Sequence, residues 1–134
     1  MFLNDYEKFK TLDELVQAYQ TKNNVTKTDA KKAVLSAMPK ESRFQAKIME
    51  YLNSRKDCIA WKDQASMYQS KGVPDIICIK DGLFYGFEVK RPFIGKLSDI
   101  QAEFHNRLKS VGARVYVVSF VSEVQRILDS TASV

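Results

Sequence analysis

Cysteine, histidine and tryptophan are nearly missing from this chain, with two, one and one among 134 residues. Cys58 and Cys78 fall in strand-like runs without CxxC spacing or a histidine beside them. A disulfide framework and a zinc site are therefore set aside, and both read as small buried hydrophobes in a reducing compartment. No apolar run approaches the roughly 18 residues a bilayer requires. The N-terminus lacks a secretory pattern, and neither repeats nor low-complexity stretches occur. These absences lead us to expect a cytoplasmic protein with no membrane segment.

What is present is an ordinary globular composition, 45% hydrophobic and 28% charged, long enough for one domain with a small appendage. The net charge of +5 permits a nucleic-acid partner without requiring one. Its distribution says more: from Val89 to Ser98 there are Lys90, Arg91 and Lys96 and no acid.

Residues 1–40 read as a helical N-terminal extension. Thr11-Leu12-Asp13-Glu14 has capping-box form, and Leu12, Leu15, Val16 and Tyr19 continue it as an apolar stripe. Thr28 is expected to cap a second helix carrying Ala30, Ala33, Val34, Ala37 and Met38, ended by Pro39. The pair reads as a packing brace, with a DNA-reading helix-turn-helix as the alternative. A third helix is expected from about Pro39 to Ser54, then a strand at Cys58–Trp61. After a hairpin comes a helix from Ser98 with Ile100, Phe104, Leu108 and Val111 inward, ended by Gly112. A strand at Ala113–Val118 and a helix capped by Ser122 follow. Trp61 is expected in the core or at its rim. This order predicts an α/β fold with a mixed sheet flanked by helices.

The hairpin carries the chemistry. Asp81-Gly82 lies between two strand-like runs, and a tight type I′ turn needs positive φ at both central residues. A two-residue turn pairs Lys80 with Leu83, Ile77 with Gly86 and Asp75 with Glu88. Opposed residues share a face with Cβ atoms about 4.5–5.5 Å apart, and alternation adds Lys90 to it. Two bare carboxylates so placed repel each other. A divalent cation between them removes the conflict, and oxygen ligands suit Mg²⁺.

Pro74-Asp75 followed by Glu88-Val89-Lys90 on adjacent strands resembles the PD-(D/E)XK nuclease superfamily. With Glu41-Ser42, Gly72-Val73-Pro74-Asp75, Asp81-Gly82, Arg91, Gly95-Lys96-Leu97-Ser98 and Gln101 in this order, residues 41–128 are similar to the VRR-NUC (virus-type replication-repair nuclease) domain. The resemblance implies a restriction-endonuclease-like αβββαβ core in a nuclease domain spanning 41–134. It further implies Mg²⁺- or Mn²⁺-dependent cleavage of DNA with a 5′-phosphate product. The small stand-alone members suggest a branched, junction-like substrate, a homodimer, and a setting of DNA repair or recombination in a bacterial or phage-infected cell. No small-molecule cofactor is implied.

The residues are weighed with that in view. Asp75 and Glu88 are expected as catalytic metal ligands, and the resemblance adds the Val89 carbonyl. Lys90 is expected to hold the attacking water and balance transition-state charge, against a snorkelling lysine that neutralises Glu88. Glu41 shares a helix face with Phe44 or Gln45, Ile48 and Leu52, and the resemblance selects it as a metal or metal-water ligand; a first-turn acid favoured by the helix dipole is the alternative. Gln101 is either the N3 residue of a Ser98 capping box or, by resemblance, a catalytic-site residue, and the two are compatible. Lys96 and Ser98 at a helix N-terminus, with Arg91 and Lys71, are the expected DNA-backbone contacts. His105 is expected to be structural or exposed. The competing reading is a non-cleaving DNA- or protein-binding module on a nuclease fold, such as a phage inhibitor of a host system.

Overall fold

The computed structural model describes residues 6–63 and 72–130. They form two compact units, residues 1–40 and 41–134.

The first unit is a helical pair, α1 (Leu12–Asn23) and α2 (Lys27–Ala37). Thr11 caps α1 by accepting the Glu14 N–H, while Glu14 reaches one residue further back, to the Lys10 N–H. Asn24 ends α1 in the left-handed region at φ 51°, a conformation asparagine tolerates. The second cap is Thr26, not Thr28: its hydroxyl accepts the Asp29 N–H at 3.1 Å and α2 begins at Lys27. Both threonines suit a cap, and the turn after Asn24 decides between them. Met38 is extended before Pro39, as pre-proline sterics require. Leu15, Val16, Ala30 and Val34 are buried, and Tyr6 donates its hydroxyl to the Val34 carbonyl.

The second unit runs α3 (Glu41–Ser54), β1 (Cys58–Lys62), β2 (Ile76–Lys80), β3 (Leu83–Val89), α4 (Asp99–Ser110), β4 (Arg114–Val118) and α5 (Val121–Ser130). The strands make one sheet in the order β1-β2-β3-β4. The first two pairings are antiparallel, and β3–β4 is parallel through the α4 crossover. The αβββαβ core expected from the sequence is therefore present, with an additional C-terminal helix. Among the described residues no helix is long and apolar enough to cross a membrane.

The β2–β3 register is the one the turn dictates, with Lys80 opposite Leu83, Ile77 opposite Gly86 and Ile76 opposite Phe87. Asp81 and Gly82 both have positive φ, 53° and 75°. On one sheet face lie Cys58, Cys78, Tyr85, Phe87 and Val89, and Cys58 donates its thiol to the Leu52 carbonyl of α3. α3 buries Phe44, Ile48 and Leu52. Burial and the neighbouring Cys58 push the Cys78 thiol up to about 12, which leaves it protonated and inert. Arg55, just past α3, joins Asp57, Asp129 and the Tyr51 hydroxyl, tying that corner to α5.

Two further expectations need correction. Ile100 is 53% exposed and Val111 81%, so neither lies on the inner face of α4. That face is Gln101, Phe104, His105 and Leu108, the i, i+3, i+4, i+7 set, in which two polar side chains hold positions that hydrophobicity alone assigns to neighbours. His105 is consequently buried. The last helix starts at Val121, so Ser122 lies inside it. The Glu123 carboxylate supplies the cap, accepting the Ser119 and Phe120 N–H groups. Trp61, on the edge strand, is 46% exposed.

Candidate active site

Strand register sets the site. Beyond the last β2–β3 pair, Asp75 continues β2 and meets Glu88 on the face opposite Phe87 and Val89. Two reciprocal bonds lock the carboxylates to each other's strand. The Asp75 N–H donates to Glu88 Oε2 at 3.1 Å, and the Val89 N–H donates to Asp75 Oδ2 at 2.8 Å. The Asp75 carbonyl accepts the Asp63 N–H at 2.7 Å, which fixes the backbone from the β1 side.

Glu88 is 1% exposed. Burial first, and the Asp75 carboxylate second, push its pKa up to about 8, with a side-chain hydrogen bond to Asp75 adding to the shift and Lys90 opposing it. Glu88 thus holds its proton more tightly than an ordinary glutamate does.

Lys90 places Nζ 3.9 Å from Glu88 Oε1. Its backbone is held on both sides: its N–H donates to the Val118 carbonyl, and its carbonyl accepts the Ser119 hydroxyl. Gln101 makes both contacts considered for it. Its Oε1 accepts the Ser98 N–H while Ser98 Oγ accepts the Gln101 N–H, completing the capping box, and its Nε2 donates to Glu88 Oε1.

Glu41 stands further off. Burial raises its pKa, the Asp75 charge adds to that, and Lys90 and Arg91 lower it, so it lies within the electrostatic reach of the site. Among the described residues, however, no three acidic, histidine or cysteine side chains form a metal-ligating group. The structure brings Asp75, Glu88, Lys90 and Gln101 into one contact set and leaves Glu41 beside it.

The basic loop follows directly. Arg91–Gly95 turns back on itself, with Gly95 N–H donating to the Arg91 carbonyl at 3.0 Å. A Cβ on Gly95 would lie 2.7 Å from Lys90 Cβ, so only glycine permits this approach. Lys96 is exposed, Ser98 is engaged as the α4 cap, and Arg91 is half-buried. Lys71 lies outside the described residues.

The Gly72–Asp75 segment is wedged in place. Gly72 has φ +93°, and a Cβ there would lie 2.8 Å from the Ile100 carbonyl and 3.0 Å from Phe104 Cβ of α4. Pro74 sits over Gly86, where a Cβ would come within 2.7 Å of the ring. The Pro74 ring fills the space over the sheet that a side chain at Gly86 would need. His105, expected to be structural or exposed, is buried, since the helical phase set by Gln101 places a residue four positions on upon the same face.

A solved structure described as a VRR_NUC domain matches this chain with a TM-score of 0.56 and 25% identity, covering 68% of this chain and 96% of its own. No family model and no curated protein matches. The fold is that of a VRR-NUC nuclease-like domain.

Proposed function

We propose that the chain is a metal-dependent DNA endonuclease, with residues 41–134 as its nuclease domain and 1–40 as a helical extension. The observation that carries this reading is the pairing of the Asp75 and Glu88 carboxylates across β2 and β3, each accepting an N–H from the other's strand. A cation between the two carboxylates would relieve both charges, including that of the buried Glu88. The donor set suits Mg²⁺ or Mn²⁺. Both prefer oxygen, and Mg²⁺ is held by one or two carboxylates plus water and substrate phosphate rather than by a full protein cage.

Asp75 and Glu88 would hold the ion, with the Val89 carbonyl on the same strand edge as its Asp75-bonded N–H. A bound ion would supply Lewis acidity at the phosphodiester and acidify water at neutral pH. Glu41, set back from the pair, would act through solvent. Lys90, fixed by its backbone and largely buried, would orient the attacking water and offset charge at the reacting phosphate. Gln101, anchored to Ser98, would hold the Glu88 carboxylate in place. Lys96, Arg91, Lys71 and the α4 N-terminus would take the DNA backbone.

Among the described residues no base-reading element accompanies the site, so recognition by backbone and shape fits best. Branched DNA, a homodimer and a cytoplasmic setting complete the proposal by likeness to small stand-alone VRR-NUC proteins. The test is cleavage of a four-way junction and of plasmid in Mg²⁺ or Mn²⁺. Wild type should cut, and Asp75→Ala should lose on the order of 10²-fold or more while still binding DNA. Binding without cutting by the wild type in both metals would replace the nuclease with a non-cleaving module.

A further inference from the structure

We propose that Ile94 is a specificity-determining wedge, which fills the gap at a DNA step whose bases are unstacked, beside the phosphate to be cut. The inference deepens the nuclease reading given above and rests on it for DNA as the ligand, but its test reads binding without cleavage.

The segment between Lys90 and Gln101 begins and ends at one atom. Lys90 Nζ lies 3.9 Å from Glu88 Oε1, and the Gln101 amide donates to the same oxygen. Whatever the segment exposes is therefore held at the site. It carries Arg91 and Lys96, and no acid before Asp99. Such a surface attracts a polyanion, yet at its turn it presents an isoleucine, Ile94, 38% exposed. Single exposed hydrophobic residues are common on protein surfaces. This one is set apart by how it is held and by what lies next to it.

The turn is preformed. The Ile94 N–H donates to the Pro92 carbonyl at 2.8 Å, and the Gly95 N–H donates to the Arg91 carbonyl at 3.0 Å. Phe93, at the centre of the three-residue turn, has φ +68°. Bulky residues rarely adopt that conformation, and it marks the strained form of such a turn. Pro92 is buried and has its own φ fixed by its ring. Gly95 lies so close to Lys90 that a Cβ on it would stand 2.7 Å from Lys90 Cβ. One residue back along the chain, the Ile94 Cα is within about 8 Å of that Cβ. Successive bases on a strand rise about 3.4 Å each, so Ile94 meets DNA within about two steps of a phosphate at Lys90. An apolar side chain enters a base step by parting it, and the cost is least where stacking is already interrupted. Held rigid, Ile94 loses little freedom on binding. The gain therefore falls to branched DNA and not to continuous duplex.

The full-length protein in EDTA is titrated against a four-way junction and against a continuous duplex of the same sequence. Wild type should bind the junction about tenfold more tightly and should brighten a fluorescent purine placed at the branch point. Ile94→Ala should bring the two affinities within about twofold of each other, the loss expected of one contact with an unstacked base. Its duplex affinity should stay at the wild-type value, and the brightening should vanish. Ile94→Met, which keeps an apolar side chain of similar size, should retain both. Val111→Ala trims exposed apolar surface at the far end of α4 and should change neither. Lys96→Ala should weaken both DNAs alike, as a backbone contact does. A junction preference that survives Ile94→Ala, or equal affinity of the wild type for the two DNAs, refutes the wedge and leaves the nuclease reading in place. An Ile94-dependent preference in a protein that cuts nothing in Mg²⁺ or Mn²⁺ sinks the nuclease reading and leaves the wedge standing. Binding to neither DNA overturns both.

Discussion

Metal affinity should depend steeply on pH, and the Glu88 proton sets how steeply. Its carboxyl is pushed up to about 8 by burial and by Asp75. An ion entering between the two acids must displace that proton, so below pH 8 each unit of acidity should weaken the apparent affinity about tenfold. From pH 8 to pH 6 the loss is about 50-fold, since half the groups are already protonated at pH 8, or about 2.3 kcal/mol at about 1.36 kcal/mol per unit. Titration calorimetry with Mn²⁺ in two buffers of different ionisation enthalpy measures this directly. About one proton should be released per ion near pH 6.5, and almost none above pH 9. The metal-free protein should show the converse in its stability. A raised carboxyl pKa contributes stability that is full below the unfolded value near 4.5 and is lost as pH rises through the folded value of about 8. Saturating Mn²⁺ should therefore raise the melting temperature more at pH 8.5 than at pH 6. Affinity that is flat between pH 6 and 8, with no proton released, would refute the claim that Glu88 is protonated in the place an ion takes.

Gly86→Ala puts a methyl group 2.7 Å from Pro74 Cγ; it should cost about 1–3 kcal/mol in urea denaturation and reduce cleavage by displacing the segment that carries Asp75. Lys96→Ala should lower the slope of log affinity against log salt by about one without changing which DNA is preferred, as a backbone contact does. An unchanged slope would remove Lys96 from the interface.

Much of this was legible in the sequence for a specific reason. Asp81-Gly82 permits a two-residue turn with positive φ at both positions, and such a turn leaves one register for the strands it joins. Strand alternation then carries the pairing out to Asp75 and Glu88 without further information. Helix α4 was misread because its inner face is half polar. Gln101 and His105 occupy it, and a rule that seeks hydrophobic residues slides the stripe onto Ile100 and Val111. Gln101 could not be assigned to cap or site from spacing because one amide does both, with its oxygen on Ser98 and its nitrogen on Glu88. Periodicity put Glu41 on the correct helix face, but a face does not fix reach, and the carboxylate stands outside the contact set. Thr26 and Glu123 were missed as caps because several residues near each helix start are chemically able to cap, and the backbone path chooses among them.

The most direct measurement is the anomalous signal of Mn²⁺ in crystals soaked at pH 8 with millimolar metal. The account predicts a peak about 2.0–2.2 Å from one oxygen of Asp75 and one of Glu88. A peak elsewhere, or none at that pair, would contradict it.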